Sequence, residues 1–135
     1  MTWAPPDGAG RAVLPLGLGA PWVLVRAPAG IHHWMVCHST EPMIRAPGGA
    51  SAWLLDAAAL AGWERRYEML LPHIRLVTSG TAVVPGAGCT RGPGLHWVRP
   101  RGLPPEQWVA DVLCLADDLA TACVVRGWPL GPLPP

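Results

Sequence analysis

The sequence predicts an α+β domain, in which two long helices pack on a mainly antiparallel sheet. Short apolar, β-branched runs are separated by Pro- and Gly-rich segments, a pattern that is typical of strands and tight turns. Two longer segments, residues 51–71 and 104–125, repeat apolar residues at steps of three and four, as a helix with one buried face does. Strands joined by short turns must pair antiparallel, because a parallel crossover needs a much longer connection.

The first strands are expected in the N-terminal third of the chain. Residues 11–16 form a short apolar run, and residues 22–26 and 31–37 form two more on either side of the turn Ala27-Pro28-Ala29-Gly30. Two runs of strand-forming residues around a Pro/Gly segment predict a β-hairpin over residues 22–37.

Helix-capping residues, helix-ending residues and short apolar runs predict the helices and the later strands. Ser51 is a candidate N-cap for the first helix, because its hydroxyl can accept from an early backbone N–H, and Pro72 would end that helix. The second helix would start near Pro104, since proline suits a first helical turn, and would stop at Gly127. Four more short runs predict strands: residues 43–45, 74–77, 81–84 and 95–99.

Length and composition indicate a single domain. The chain has 135 residues, of which 50% are hydrophobic and 14% are charged. We expect residues 1–10 to be loose, residues 11–127 to form the domain, and residues 128–135 to be a Pro-rich tail. The formal net charge of +1 argues against a broad phosphate-binding surface. All 10 basic residues are Arg, which we attribute to GC-rich coding rather than to phosphate recognition.

Cysteine usage and hydropathy predict where the protein is located. The four cysteines show no C-x-x-C spacing, and the first ten residues do not resemble a secretory signal, so we expect reduced thiols rather than disulfides. No apolar run is long enough to span a bilayer. The sequence therefore predicts a soluble cytoplasmic protein without a membrane partner.

Histidine and cysteine residues are the first candidates for chemistry. His33 and Cys37 would share one face of the predicted strand, so a transition metal could use both. Tetrahedral zinc needs more ligands, and His73, Cys89 and His96 stand at no recognisable spacing from that pair. The alternative is a half-buried strand histidine that is hydrogen-bonded to its neighbours. A Cys–His nucleophile is also conceivable, but the sequence contains no nucleophile elbow, phosphate loop or dinucleotide fingerprint. We predict no metal and no cofactor.

The segment from Ala27 to Val36 resembles the histidine motif of the bifunctional DNA primase/polymerase (prim-pol) domain family. That motif typically reads Thr-Pro-x-Gly-Gly-x-His before an apolar strand. Three residues match it: Pro28, Gly30 and His33. Ala27 and Ile31 depart from it. Further similarity to small prim-pol-like proteins of GC-rich actinobacteria covers later strands and the last helix, and the whole resemblance spans residues 16–123.

The resemblance implies the second half of a prim-pol-like fold, in which Pro28, Gly30 and His33 belong to a nucleotide-binding site. Catalysis in that family depends on acids carried by strands, and no predicted strand here carries an acid. Residues 11–19, before the hairpin, contain none, and Arg75 stands where the later Asp is expected. A cation at that position would repel Mg²⁺ rather than bind it.

We therefore expect a prim-pol-like domain that lacks the catalytic carboxylates and binds a nucleotide or single-stranded nucleic acid without polymerising it. Three arginines are candidate phosphate contacts around His33: Arg26, Arg75 and Arg99. The alternative is a protein-interaction or homodimerisation module, because eight tryptophans and few charges predict an exposed apolar patch. A metal enzyme that uses His33 and Cys37 is a third hypothesis. The alternatives differ in whether His33 lines an open groove or is buried.

Overall fold

A computed structural model describes residues 11–17, 21–59, 70, 72–86, 88–92, 94–98, 109–128 and 131. The strands in these residues are β1 (Arg11–Pro15), β2 (Trp22–Ala27), β3 (Met43–Arg45), β4 (Ser51–Asp56), β5 (Arg75–Val77), β6 (Thr81–Pro85) and β7 (His96–Val98). The helices are α1 (His32–His38) and α2 (Val112–Arg126). Every strand pair in the two sheets is antiparallel, so the α+β prediction is confirmed.

The larger sheet has five strands in the order β5-β2-β4-β3-β7. Its centre is β4, which pairs with β2 over the full length of both strands and with β3 on the other side. Trp53 and Leu55 of β4 face the helices, whereas Ala52 and Leu54 face the smaller sheet. All four are buried, because the sheet is covered on both faces.

The smaller sheet consists of β1 and β6 and covers the outer face of the larger one. Leu14 and Val84 from these two strands pack with Leu54 and Trp97 of the larger sheet. The indole Nε1 of Trp97 donates to the backbone oxygen of Pro85 at 2.7 Å, which fixes the buried ring to the end of β6.

The helices cover the opposite face of the larger sheet. Met35 of α1 and Leu115 and Leu119 of α2 are fully buried against Val25 of β2 in one apolar core. The buried residues of α2 recur at helical spacing: Val112, Leu115, Ala116, Leu119, Ala122 and Cys123. In the described part of the chain, no helix is long and apolar enough to cross a membrane.

The predicted hairpin is wrong in its second half. Residues 31–37 do not form a strand: a 3₁₀ turn, Ala29–Ile31, leads directly into helix α1. Ile31 and Met35 are buried while His33, which would share their face in a strand, is exposed, so this segment follows the period of a helix rather than that of a strand. The partners of β2 are β4 and β5 instead.

The first predicted helix is also wrong at its start, because residues 51–56 form the central strand β4. Ser51 is fully buried and lies 3.1 Å from Nδ1 of His32 rather than capping a helix. Asp56 ends β4, so one described strand does carry an acid, contrary to the prediction. Its Oδ1 accepts from the backbone N–H of Ala58 at 2.9 Å. Residues 60–69 and 71 lie outside the described residues.

The remaining strand predictions hold in position but not always in pairing. Strands are confirmed at β1, β3, β5, β6 and β7. The segments β5 and β6, which are joined by a short turn, were expected to pair, yet they belong to different sheets. The second long helix was expected to begin near Pro104, but it begins at Val112, because residues 109–111 are not helical. Residues 99–108 lie outside the described residues.

Candidate functional site

An open cavity of about 290 Å³ lies where the end of α2 meets α1. We call it the α1–α2 pocket. Its described lining residues are Gly30, Ile31, His33, Trp34, Cys37, His38, Ala122, Val125 and Arg126. His33 is exposed and lines this pocket, so it is not a buried strand histidine.

Helix α1 presents its polar residues to the pocket because its apolar ones anchor the other side. Met35 points into the core, whereas His33 and Cys37 stand one turn apart on the outer surface. The rings of Trp34 and His38, also one turn apart, stack with centroids 4.6 Å apart. The short helix therefore presents an indole, two imidazoles and a thiol to one cavity.

The opposite wall depends on how α2 ends. Gly127 adopts φ 85°, a left-handed conformation that glycine takes at little cost, and its N–H donates to Val124 O at 3.0 Å. The N–H of Trp128 donates to Cys123 O at 2.8 Å, which completes a Schellman motif. These bonds satisfy carbonyls that would otherwise present partial negative charge near the pocket.

The reversal at Gly127 brings Trp128 back over Gly30. A Cβ on Gly30 would lie 2.8 Å from Cζ2 of Trp128, so any larger residue would push the indole away from this position. The guanidinium of Arg126 lies 5.9 Å from the centroid of the same indole, and the ring of His73 stacks on it at 5.2 Å. Trp128, which was expected to lie in a Pro-rich tail, thus supports the wall of the pocket.

The pocket favours anions. Arg126 is positively charged, the imidazoles of His33 and His38 can donate hydrogen bonds, and no acid is among the described lining residues. Positive groups continue beyond it: the pKa of His32 is lowered to about 4, mainly because the ring is partly buried, and also because Arg45, His96 and His33 lie nearby. His32 is therefore neutral at pH 7, while Arg45 extends the cationic surface on that side of α1.

The predicted site residues are only partly brought together. Gly30 and His33 line the pocket, whereas Pro28 is exposed before the 3₁₀ turn and is not among the lining residues. Arg26 and Arg75 sit opposite each other on β2 and β5.

Arg26 shares the face of Trp22 and Leu24, on the side of the sheet away from α1, and lines a second cavity of about 180 Å³ between the sheets. Arg99 lies outside the described residues. His33 and Arg26 therefore belong to different sites.

Three aromatic or cationic pocket residues were not among the predicted site residues: Trp34, His38 and Arg126. A signal for the first two was present, because Ile31, Met35 and His38 stand at steps of four and three, the spacing of a helix. Arg126 could not be linked to α1 from sequence, since the two helices meet only through tertiary packing.

A second polar cluster lies at the start of α2, and we call it the acidic cap. Glu41, Asp111 and Cys114 place one potential ligand atom each within 4.8 Å of one another. Glu41 Oε1 accepts from the N–H of Asp111 at 2.7 Å, and Asp111 Oδ1 accepts from the N–H of Cys114 at 2.9 Å. These bonds start the helix, so the carboxylates have a structural role.

The described tryptophans do not form the exposed apolar patch that the interaction hypothesis expects. Trp22, Trp53 and Trp97 are buried, and Trp34 and Trp128 are half-buried beside the pocket. Comparison of the chain with protein-family models, with curated proteins and with solved structures finds no match. The geometry of the pocket is therefore the basis for inferring a function.

Proposed function

We propose that this chain is a prim-pol-like domain that binds a nucleotide or single-stranded nucleic acid in the α1–α2 pocket without polymerising it. The observation that carries the proposal is the convergence of His33, His38 and Arg126 on a cavity that also exposes Trp34. Arginine forks match phosphate oxygens, and imidazoles donate hydrogen bonds to them. Aromatic rings are stacking platforms for unpaired bases.

The size of the pocket limits the ligand. A volume of about 290 Å³ lies just below the usual range for small-molecule sites, so the pocket suits one nucleotide unit with the rest of the ligand outside. A longer strand would find further positive charge at Arg45. All four cysteines are free thiols, and we include a cytoplasmic location in the proposal because thiols persist in reducing compartments.

Among the described residues, no acid lines the α1–α2 pocket, which supports the non-catalytic part of the proposal. The carboxylate of Asp118, in the middle of α2, accepts from the hydroxyl of Ser39 at 2.7 Å. Glu41 and Asp111 lie at the far end of α2, about 22 Å along the helix axis at the usual rise per residue. Asp56 is used by the backbone of Ala58. Metal-dependent polymerisation needs carboxylates beside the bound phosphate.

Primer synthesis and primer extension with Mg²⁺ or Mn²⁺ should therefore give no product. The variant Arg75→Asp should give none either, because a single new acid does not make a pair. Template-dependent incorporation by the purified protein would contradict the proposal.

Binding can be measured through the native tryptophan fluorescence, since Trp34 lines the pocket. We would titrate the protein with ATP and with a short oligothymidylate, in excess chelator, at low and at moderate salt. Both ligands should bind, and the affinity should fall with salt by a log–log slope of about −0.7 for each phosphate contact on a single strand.

A charge-matched pair of variants locates the site. Arg126→Gln should weaken binding and make the salt slope shallower by about 0.7, because one phosphate contact is lost. Arg75→Gln removes the same charge from the opposite face of the sheet and should change neither quantity. An equal loss of affinity in both variants, or a loss of affinity in Arg75→Gln alone, would contradict a binding site in the pocket. So would the absence of any response at low salt.

The interaction module remains a second candidate because of one surface feature. Val13 and Val83 sit opposite each other on β1 and β6 and are 64% and 46% exposed. Sedimentation should show a concentration-dependent dimer if this pair is an interface, and Val83→Ser should dissociate it, whereas Val124→Ser on α2 should not. A dimer of this kind, together with no fluorescence response to either ligand, would favour the interaction module.

A further inference from the structure

A thiol and an imidazole meet inside the α1–α2 pocket. The Sγ of Cys37 lies 3.7 Å from Nε2 of His33, and both residues are exposed. They are four residues apart on α1, so the helix holds the two side chains on one face. On the predicted strand, four residues would separate them by about 13 Å, too far for one ion. The helix therefore creates a pair of ligands that a strand would have separated.

The distance within this pair suits tetrahedral coordination. Zinc binds sulfur at about 2.3 Å and imidazole nitrogen at about 2.0–2.1 Å, so the two ligand atoms of a tetrahedral ion are about 3.6 Å apart. A linear ion would hold them at the sum of the bond lengths, about 4.4 Å. The 3.7 Å contact is a thiol–imidazole hydrogen bond, and it already holds the two atoms close to the tetrahedral separation.

We propose that Cys37 and His33 form a two-ligand site for a borderline-soft divalent cation of the Zn²⁺ class, with its remaining coordination positions open to the pocket. Binding forms one bond from sulfur and one from nitrogen, and it releases the thiol proton of Cys37 to solvent without electron transfer. Water or an anion in the pocket fills the open positions. The site does not depend on the proposed nucleotide binding, because both ligands come from α1 alone.

The acidic cap provides the internal control. Cys114 is also exposed and lies close to Glu41 and Asp111. One oxygen of each carboxylate already accepts a backbone N–H at the start of α2: Oε1 of Glu41 and Oδ1 of Asp111. An ion there would compete with the hydrogen bonds that begin the helix. We therefore expect the cation at Cys37 and not at Cys114.

Cobalt(II) is the probe, because it replaces zinc and reports its ligands by colour. The reduced chain would be titrated with Co²⁺ under anaerobic conditions and without nucleotide. The wild type should show a sulfur-to-cobalt charge-transfer band, which Zn²⁺ abolishes. Cys37→Ser should lose the band. His33→Gln should weaken the affinity by at least the roughly 10–100-fold that loss of an outer-shell partner costs. Cys114→Ser should behave as wild type.

A second measurement protects the test against misfolded variants, because it uses the wild-type chain. Zn²⁺ should slow alkylation of Cys37 by iodoacetamide, measured by mass spectrometry, while Cys114 in the same molecules reacts at an unchanged rate. Loss of the cobalt band in Cys114→Ser, protection of Cys114 instead of Cys37, or no band at all would overturn the proposal. Since nucleotide is absent here and metal is chelated in the nucleotide titration, each proposal fails or succeeds separately.

Discussion

The charged side chains at the two ends of helix α2 have different surroundings. At its start, the carboxylates of Glu41 and Asp111 accept backbone N–H groups. At its end, Arg126 stands beside an open pocket with the histidines of α1. Both arrangements suit the helix dipole, since acids lie at the positive end and a base lies at the negative end. Only the second leaves its charged side chains facing a cavity, so it is the better candidate for a ligand site.

The exposed thiols near these two ends, Cys114 and Cys37, also have different surroundings. The pKa of Cys114 is raised, because its thiol hydrogen-bonds to the Asp111 carboxylate and that negative charge disfavours the thiolate. Cys37 instead lies beside the imidazole of His33. The thiol of Cys114 is therefore a poor nucleophile, although it is exposed.

Truncating the buried side chain in the middle of α2 should have the largest effect on the free energy of unfolding. Leu119 is fully buried in the middle of α2, and Leu119→Ala should lower the free energy of unfolding by about 2–5 kcal/mol. Val124→Ala, at a position that is 62% exposed, should change it by less than about 0.5 kcal/mol. Urea denaturation measures both. Equal effects would show that α2 does not pack as described.

Substituting the cap residue at each end of α2 tests whether the two ends act independently. Asp111→Ala should cost about 1 kcal/mol, because the N–H of Cys114 loses its acceptor, whereas Asp111→Asn keeps the cap and should cost much less. Gly127→Ala should cost about 1 kcal/mol, since alanine resists the left-handed conformation. Only Gly127→Ala should also disturb the pocket, which would appear as weaker ATP binding. If Asp111→Ala weakened ATP binding as much, the two ends would not be independent.

His32 and Glu41 should change the folding stability in opposite directions as the pH falls. The pKa of folded His32 is about 4, so between pH 6.5 and 4 the unfolded chain takes up a proton that the folded chain does not, and stability falls as pH drops. After a discount for solvent screening, this loss is about 1 kcal/mol. His32→Gln should remove it from the urea midpoints measured across that window.

Burial raises the pKa of Glu41, so this group acts in the opposite direction: its contribution to stability is lost as pH rises above the ordinary value of 4.5. Glu41→Gln should therefore steepen the loss of stability on acidification. A Glu41→Gln variant that flattens the pH profile instead would contradict the sign of this shift.

Much of the fold could be predicted from sequence, because its edge strands are short apolar runs bounded by Pro and Gly. Two segments were mispredicted, residues 51–56 and residues 31–37, for different reasons. Residues 51–56 lack the alternation of a half-buried strand, since β4 is covered on both faces, and Trp53 and Ala57 happened to match a helical step. Residues 31–37 are too short for periodicity to separate a helix from a strand.

The candidate site was predicted less well than the fold. The motif located Gly30 and His33, but the structure gives Gly30 a packing reason, the close approach of Trp128. The arginines expected around His33 could not be placed, because the pairing of β2 with β5 puts Arg26 and Arg75 on the other face. The cation that does reach the pocket, Arg126, comes from about 90 residues further along the chain and is brought there by tertiary packing.

The most direct test of the central claim is to see which indoles sense a bound oligonucleotide. With ¹⁵N-labelled tryptophan, the N–H signals can be followed by NMR while oligothymidylate is added at low salt. Trp34 and Trp128 flank the α1–α2 pocket, so their signals should shift most. Trp22 and Trp97 pack between the sheets, on the side of Arg26, and should move little. Shifts confined to Trp22 and Trp97, or no shifts at all, would contradict a nucleotide site at the end of α2.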